Sequence, residues 1–267
     1  MPSIDLDYPA KGVCRITLNN PEVLNGFAFE MYDEMVNILE KIKYDTSIRV
    51  VVLTGAGRAF CSGHWVGAPG RQPWMEENLG PIQQDMYSMA RIKQIPLGLR
   101  TLPQPVICAL NGPAAGFGVA LALVSDIVVA GASGEFVNAF HNVGVGSEIG
   151  VSYLMSRMIG SQRTADFLFN ARRVGAEEAA RIGLVLKVVD DERLADEVMA
   201  YATGMMENSP LGLWLTKQAL QANVAGTSYE AALDLEIRGV SMSKATEDGR
   251  EKRMSKFWER SPIFTNR

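Results

Sequence analysis

The chain has 267 residues, of which 47% are hydrophobic and 21% charged, and a formal net charge of −4. That is enough apolar material for one large domain, or one with an appendage. No lysine/arginine block supplies the clustered positive footprint that a phosphate backbone requires, so nucleic acid is excluded as a partner.

In chain order, VCRITL alternates Cys14, Ile16 and Leu18 against Arg15 and Thr17, the pattern of a half-buried strand. Met31, Met35, Ile38 and Ile42 recur at helical spacing and predict an amphipathic helix over Phe27–Lys43. RVVVLTG (Arg49–Gly55) is a continuous β-branched run, as in a strand buried on both faces. PVICALNG (Pro105–Gly112), DIVVAG (Asp126–Gly131) and GLVLKVV (Gly183–Val189) predict three more strands, the last after a helical GAEEAARI. Strands alternating with helices predict an α/β fold with largely parallel pairing. After about residue 190 the patterns are helical only, with Pro210 placed to begin a helix. The expected division is an α/β core over 1–195 and a helical part over 196–267.

Cys14, Cys61 and Cys108 are odd in number, widely spaced and set in or beside apolar runs. They are expected to be reduced core thiols of a cytoplasmic protein. The stretch MPSIDLDYP lacks a basic-then-apolar signal pattern, and the longest apolar run, GVALALVSDIVVAGA, is cut by Asp126. No membrane partner is expected.

Two glycine-bearing loops follow strands: GAGRAFCSGHW and NGPAAGFGVAL. They are either ordinary strand-to-helix turns or a built anion site. In the second, FGVALALV begins a helix whose first N–H groups lack intrahelical partners and carry a partial positive charge. One further N–H from near Gly63–His64 would complete a two-donor site for a developing oxyanion. GxFG matches neither the dinucleotide nor the P-loop pattern.

NNPEVLNGFAFEM, VVVLTGAGRAFCSG, LPQPVICALNGPAAGFGVALALVSDIVVAGASGEF, EEAARIGLVLKVV and EDGREKRMSKFWERSPIF, in that order over about residues 12–264, resemble the crotonase (enoyl-CoA hydratase/isomerase) superfamily. The resemblance implies an α/β spiral of ββα units and a helical C-terminal domain that assembles homotrimers or hexamers. It implies an acyl-CoA thioester as ligand, with coenzyme A arriving as part of the substrate and no tightly bound cofactor. It implies an oxyanion hole made by the backbone N–H groups of His64 and Phe117. The implied substrate- and CoA-contacting positions are Val23, Leu24, Ser62, Trp65, Val66, Gly116, Phe140 and His141.

Hydratases resembling crotonase use two glutamates, and the corresponding positions here are Ala120 and Phe140. Losing one general acid/base typically costs about 10²–10⁴ in rate, so an ordinary hydratase is disfavoured. Glu148, four residues after Gly144, stands where the single-glutamate Δ3,Δ2-enoyl-CoA isomerases carry their catalytic acid. One base suffices to move a proton from C2 to C4. From the residues alone, Glu148 is equally an acid in the first turn of a helix capped by Ser147, with Val151, Leu154, Met155 and Met158 as the apolar face. The dipole would lower its pKa and burial would raise it.

Other candidates are weaker. His64 and His141 are the only histidines and lack clustered partners, so no metal site is expected. Cys61 has no evident base, and Asp126 is expected to anchor a strand start. Trp65, Trp74, Met75, Tyr87 and Met89 line the acyl pocket or belong to the core. Lys252, Arg253 and Lys256 meet CoA phosphates or form a solvated face. The favoured function is a 3-enoyl- to 2-enoyl-CoA isomerase. The alternatives are a hydratase, hydrolase or lyase acting on a CoA thioester, or a catalytically silent acyl-CoA-binding protein.

Overall fold

The computed structural model describes residues 4–65, 67–68, 79–141 and 144–267. Val66, Trp74 and Met75 lie outside the described residues. A six-stranded sheet runs in the order β1 (Ile4–Ala10), β2 (Val13–Leu18), β3 (Val50–Gly55), β4 (Val106–Leu110), β6 (Ile127–Gly131) and β9 (Lys187–Val189). β1 pairs antiparallel with β2, and every other neighbouring pair is parallel. A three-stranded sheet of β5 (Pro113–Ala115), β7 (Glu135–Val137) and β8 (Arg173–Gly175) stands beside it.

Period-2 side-chain alternation explains why the first sheet is covered on both faces. Cys14, Ile16, Val51, Leu53, Val106 and Cys108 point to one side. There they pack against α1 (Phe29–Tyr44), α3 (Gln94–Thr101) and α4 (Phe117–Val124). Val13, Val50, Val52, Ile107, Ala109 and Val129 point to the other, where Leu194, Val198 and Ala202 of α8 (Leu194–Met205) meet them. The i, i+4, i+8 spacing gives α8 a single apolar stripe. Residues 195 and 196, the expected division, both lie inside this helix.

Beyond α8 the chain is helical: α9 (Pro210–Val224), α10 (Tyr229–Ala245) and α11 (Glu247–Phe257). Pro210 opens α9 as expected, with the Ser209 side chain accepting from the Gly212 N–H. The predicted strands at residues 13–18, 49–55, 105–112 and 126–131 form within a residue or two of their expected limits. The strand expected over Gly183–Val189 is shorter. Gly183 is the left-handed C-cap of α7 (Ala176–Ile182), and Leu184 turns back to bond the Ala179 carbonyl. Only Lys187–Val189 joins the sheet. Among the described residues, no helix is long and apolar enough to cross a membrane.

Asp126 stands just before β6, but its side chain anchors the neighbouring strand. Its carboxylate accepts the Val106 N–H at 2.8 Å, fixing the start of β4. The same oxygen lies 2.7 Å from Lys217 Nζ on α9, tying the helical part to the sheet.

Candidate active site

The centre of the site is set by how closely two chain segments approach. Cys61 bridges to Ala114 in β5, and the Ala115 N–H bonds the Cys61 carbonyl at 2.8 Å. α4 then starts at Phe117 and passes so near that a Cβ on Gly118 would stand 2.3 Å from the Cys61 carbonyl oxygen. Gly63 is in the left-handed region, at φ 94°. A Cβ there would lie 2.9 Å from the Ala115 oxygen and 3.3 Å from the Phe117 nitrogen. The two glycines let the His64 segment and the first turn of α4 sit side by side.

Among the described residues, neither the His64 nor the Phe117 backbone N–H donates to a protein acceptor. The two expected oxyanion donors are therefore neighbours and uncommitted. Phe117 opens α4, where the dipole favours negative charge. Its ring turns inward against Phe27 and Tyr32, with centroids 5.0 and 5.4 Å away, leaving its amide at the site.

A third segment closes the wall. The helix expected from Phe27 begins at Phe29, because Phe27 pairs with the loop instead. Its N–H donates to the Gly63 oxygen at 2.8 Å and its carbonyl accepts from Trp65 at 2.9 Å. Ser62 staples the 20–26 loop: its N–H reaches the Leu24 oxygen and its hydroxyl the Val23 oxygen, both at 2.9 Å. Val23, Leu24, Ser62, Trp65 and His64 thus share one contiguous stretch of backbone pairing. Asn25 is a support the sequence reading missed. Fully buried, it donates to the Ala56 and Ala59 oxygens and accepts the Asn20 N–H.

Gly116 faces Phe140, whose ring would lie 4.0 Å from a Cβ added there. Phe140 is 2% exposed and Ala120 1%, so both glutamate positions of the two-acid hydratases hold buried apolar side chains. His141, the next residue along the chain from Phe140, is exposed.

The expected first-turn position of Glu148 is corrected. Ile149 and Gly150 both adopt positive φ, 51° and 79°, which no right-handed helix tolerates, so α5 (Val151–Ile159) starts only afterwards. The N-cap is Gly150. Ser147 Oγ accepts the Ser152 N–H at 3.2 Å, holding the bend rather than capping from the expected position. Glu148 therefore stands on a half-buried bend before the helix. Its pKa is raised, first by burial and then by the charge of Asp85 on α2 (Pro81–Ile92). Burial thus acts on this acid in the upward direction foreseen for it.

Glu148 is linked electrostatically to the first loop. Tyr32 of α1 has a raised pKa because it is buried and because Cys61 and Glu148 lie close enough to disfavour a phenolate. The Tyr32 hydroxyl is 3.1 Å from His64 Nδ1, and the His64 ring packs between the face of Tyr32 and the edge of Phe29. Burial lowers the His64 pKa, favouring the neutral ring. Neither Tyr32 nor Asp85 stood out in the sequence. Tyr32 looks like one more core residue of an amphipathic helix, and its partner lies 32 residues away.

Cys61 is fully buried, with its pKa pushed up to about 12 by burial, so it is a packed thiol and not an activated nucleophile. Tyr87 and Met89 lie on an exposed part of α2. Lys252 and Arg253 bond backbone carbonyls of Glu207 and Lys244.

Residues 9–267 match the family model described as enoyl-CoA hydratase/isomerase. The chain belongs to the enoyl-CoA hydratase/isomerase family. It is 41% identical over 263 residues to a probable enoyl-CoA hydratase of Mycobacterium tuberculosis, covering 98% of this chain and 92% of that one. It is 36% identical over 263 residues to the 1,2-epoxyphenylacetyl-CoA isomerase of Escherichia coli, covering 98% of each. The crystal structure of a probable enoyl-CoA hydratase/isomerase from Mycobacterium abscessus superposes with a TM-score of 0.92 at 33% identity over the whole of both chains. As an enoyl-CoA hydratase/isomerase with the crotonase fold, the chain is an enzyme acting on CoA thioesters.

Proposed function

We propose that this enzyme shifts a double bond, converting a 3-enoyl-CoA to a 2-enoyl-CoA, with Glu148 as the only acid/base. The observation that carries this reading is the contrast among three positions. Glu148 is a half-buried carboxylate with a raised pKa, whereas Ala120 and Phe140 offer no carboxylate.

The thioester carbonyl accepts from the His64 and Phe117 N–H groups. Glu148 takes a proton from C2, and the electron pair delocalises onto the thioester oxygen, which those two N–H groups stabilise. Each such donor is worth about 3–4 kcal/mol in the transition state. The protonated Glu148 returns the proton at C4, and the double bond moves to C2–C3. A raised pKa suits a group that must first accept and then donate the same proton. Val23, Leu24, Ser62, Trp65, Val66 and Gly116 hold the thioester and its pantetheine arm, and Phe140 and His141 flank the acyl group. No tightly bound cofactor takes part. The enzyme works in the cytoplasm as a homotrimer or hexamer assembled through the helices after α8.

A second reading, addition of water to a 2-enoyl-CoA, is favoured by the name of the mycobacterial relative, a probable enoyl-CoA hydratase. The experiment assays the purified enzyme with a 3-enoyl-CoA and with a 2-enoyl-CoA, following thioester conjugation. Conjugation of the first, falling about 10²–10⁴-fold in Glu148→Gln with binding intact, is the expected result. Rapid hydration of the second, indifferent to Glu148→Gln, overturns the assignment. Thioester binding with turnover of neither identifies a silent binding protein.

A further inference from the structure

The side chains of the two candidate oxyanion residues converge on a third residue, Tyr32. It sits on α1, is 1% exposed, and its ring meets both of theirs. The Tyr32 centroid lies 6.0 Å from that of His64, with the ring planes 24° apart, and 5.4 Å from that of Phe117. Phe29, three residues earlier and so on the same face of the helix, meets the His64 ring at 5.4 Å and 62°.

Any aromatic side chain at 32 could supply that packing. The hydroxyl adds direction, because it stands 3.1 Å from His64 Nδ1. A phenol is the better donor and a neutral imidazole nitrogen the better acceptor, so the shared hydrogen belongs to the oxygen. Burial keeps the phenol protonated, with Cys61 and Glu148 acting in the same sense, and burial keeps the His64 ring neutral. A ring that accepts at Nδ1 carries its one proton on Nε2.

The peptide that bears the His64 N–H follows Gly63, which has no side chain to hold it. On its carbonyl side it is tied by the Phe27 N–H, which reaches the Gly63 oxygen at 2.8 Å. On its other side the restraint passes through the His64 Cα, where the ring is attached. A ring clamped by Phe29 and Tyr32 and fixed in rotation by the hydroxyl therefore limits how far that N–H can turn.

We propose that Tyr32 is a positioning residue: its hydroxyl donates to His64 Nδ1, holds the ring in the Nε2–H tautomer, and through the ring aims the His64 amide at the thioester oxygen. This rests on the reading of that amide as an oxyanion donor, but not on which double bond moves. The probe is therefore butyryl-CoA, which can neither isomerise nor take up water, isotopically labelled at the thioester carbonyl. Infrared difference spectra on the full-length protein read how far its C=O band falls in frequency on binding. Tyr32→Phe keeps the ring and its packing against Phe117, and should leave a smaller fall than wild type. His64→Ala keeps the amide and loses the ring, and should also reduce it. The double variant should reduce it no further than His64→Ala alone, because the two side chains act in series. With whichever substrate is turned over, kcat in Tyr32→Phe should drop about tenfold at nearly unchanged KM, the worth of one hydrogen bond. Magnetic resonance of nitrogen-labelled histidine reads the tautomer directly: His64 should be protonated at Nε2 in wild type and lose that preference in Tyr32→Phe, while His141 keeps its signal in both. If Tyr32→Phe does not fold, the wild-type tautomer and the His64→Ala spectrum decide the matter. A wild-type His64 protonated at Nδ1, a carbonyl shift that Tyr32→Phe or His64→Ala leaves whole, or a double variant worse than His64→Ala overturns the proposal. Absence of any carbonyl shift in the wild type itself defeats the oxyanion reading, and the proposal with it.

Discussion

Gly118 and Cys61 meet without room for a methyl group, since a Cβ at 118 would stand 2.3 Å from the Cys61 carbonyl oxygen. This contact fixes how near the first turn of α4 comes to the His64 segment, and so fixes the spacing of the two candidate oxyanion donors. Gly118→Ala must push the helix away or strain the loop. Overpacking of this kind costs about 1–3 kcal/mol, equivalent to a fall in Tm of roughly 2–4 °C per kcal/mol for a chain of this size. Turnover should fall further than stability alone explains, because both donors lose their aim. Thermal melts and kcat measured on one preparation check this, and wild-type turnover in a destabilised variant would show that the spacing is not critical.

The raised pKa of Glu148 fixes the sign of two pH effects. As a base it must be ionised, so the acid limb of kcat/KM should lie above the usual glutamate value of about 4.3. Asp85 contributes to the rise, so Asp85→Asn should move that limb to lower pH without abolishing activity. Stability runs the other way. A carboxyl whose pKa is higher folded than unfolded contributes stability that is present below the unfolded value and lost as pH rises through the folded one. Glu148→Gln should therefore gain in Tm relative to wild type as pH is raised from 4 to 7. A constant Tm difference across that range, or an acid limb unmoved in Asp85→Asn, contradicts this account.

Much of the architecture was legible because long β-branched runs and 3.6-residue periodicity survive any context. Val50–Gly55 and Val106–Leu110 are examples, buried on both faces as their composition demands. The three strands of the second sheet were not legible. At three residues each, Pro113–Ala115, Glu135–Val137 and Arg173–Gly175 are too short to show any period. Gly183 read as the edge of a strand, because a glycine that ends a helix and one that begins a strand look alike in sequence. The bend at Ile149 and Gly150 escaped for a related reason: Ile149 is a β-branched residue at positive φ, a conformation its side chain disfavours and the surrounding loop imposes. The glycine loops left a two-donor site near His64 and the start of the FGVALALV helix as one of two readings, and the resemblance narrowed it to the His64 and Phe117 amides. What places them together, the contacts of Gly118 with Cys61 and of Tyr32 with His64, is long-range pairing that no local pattern encodes.

Asp126 and Lys217 form the ion pair that joins α9 to the sheet. Lys217 is 6% exposed, and its ammonium also donates to the Leu99 and Gln104 carbonyls, at 3.1 and 3.0 Å. Burial lowers its pKa, while Asp126 opposes that effect. Asp126→Asn leaves a buried cation with neutral partners only. Breaking one side of a buried pair costs about 3–5 kcal/mol, and Asp126 is 26% exposed, which places the expected loss at or below the low end. Replacing both residues, as in Asp126→Asn with Lys217→Met, should recover part of it, because no uncompensated charge remains. Denaturant unfolding of the two variants tests this. A double variant no more stable than Asp126→Asn would mean that the hydrogen bonds of Lys217, and not its charge balance, hold α9 in place.

The helices after α8 leave an apolar stripe uncovered. Tyr229, Leu233, Ile237 and Val240 recur at intervals of four, four and three along α10, and are 75%, 38%, 61% and 52% exposed. α10 has no buried residue, although it packs along α9, so its stripe is available to another surface. Contiguous exposed apolar area of this kind marks an association site. The proposed homotrimer or hexamer would cover it. Ile237→Glu puts a charge at the centre of the stripe, where burial without a partner is costly. Sedimentation velocity should show wild type well above the 29.1 kDa of one chain, and the variant shifted towards that mass with its secondary structure kept. A wild-type protein that sediments as a single chain would remove the reason for the stripe. An assembly unaffected by Ile237→Glu would place the subunit contact on some other face.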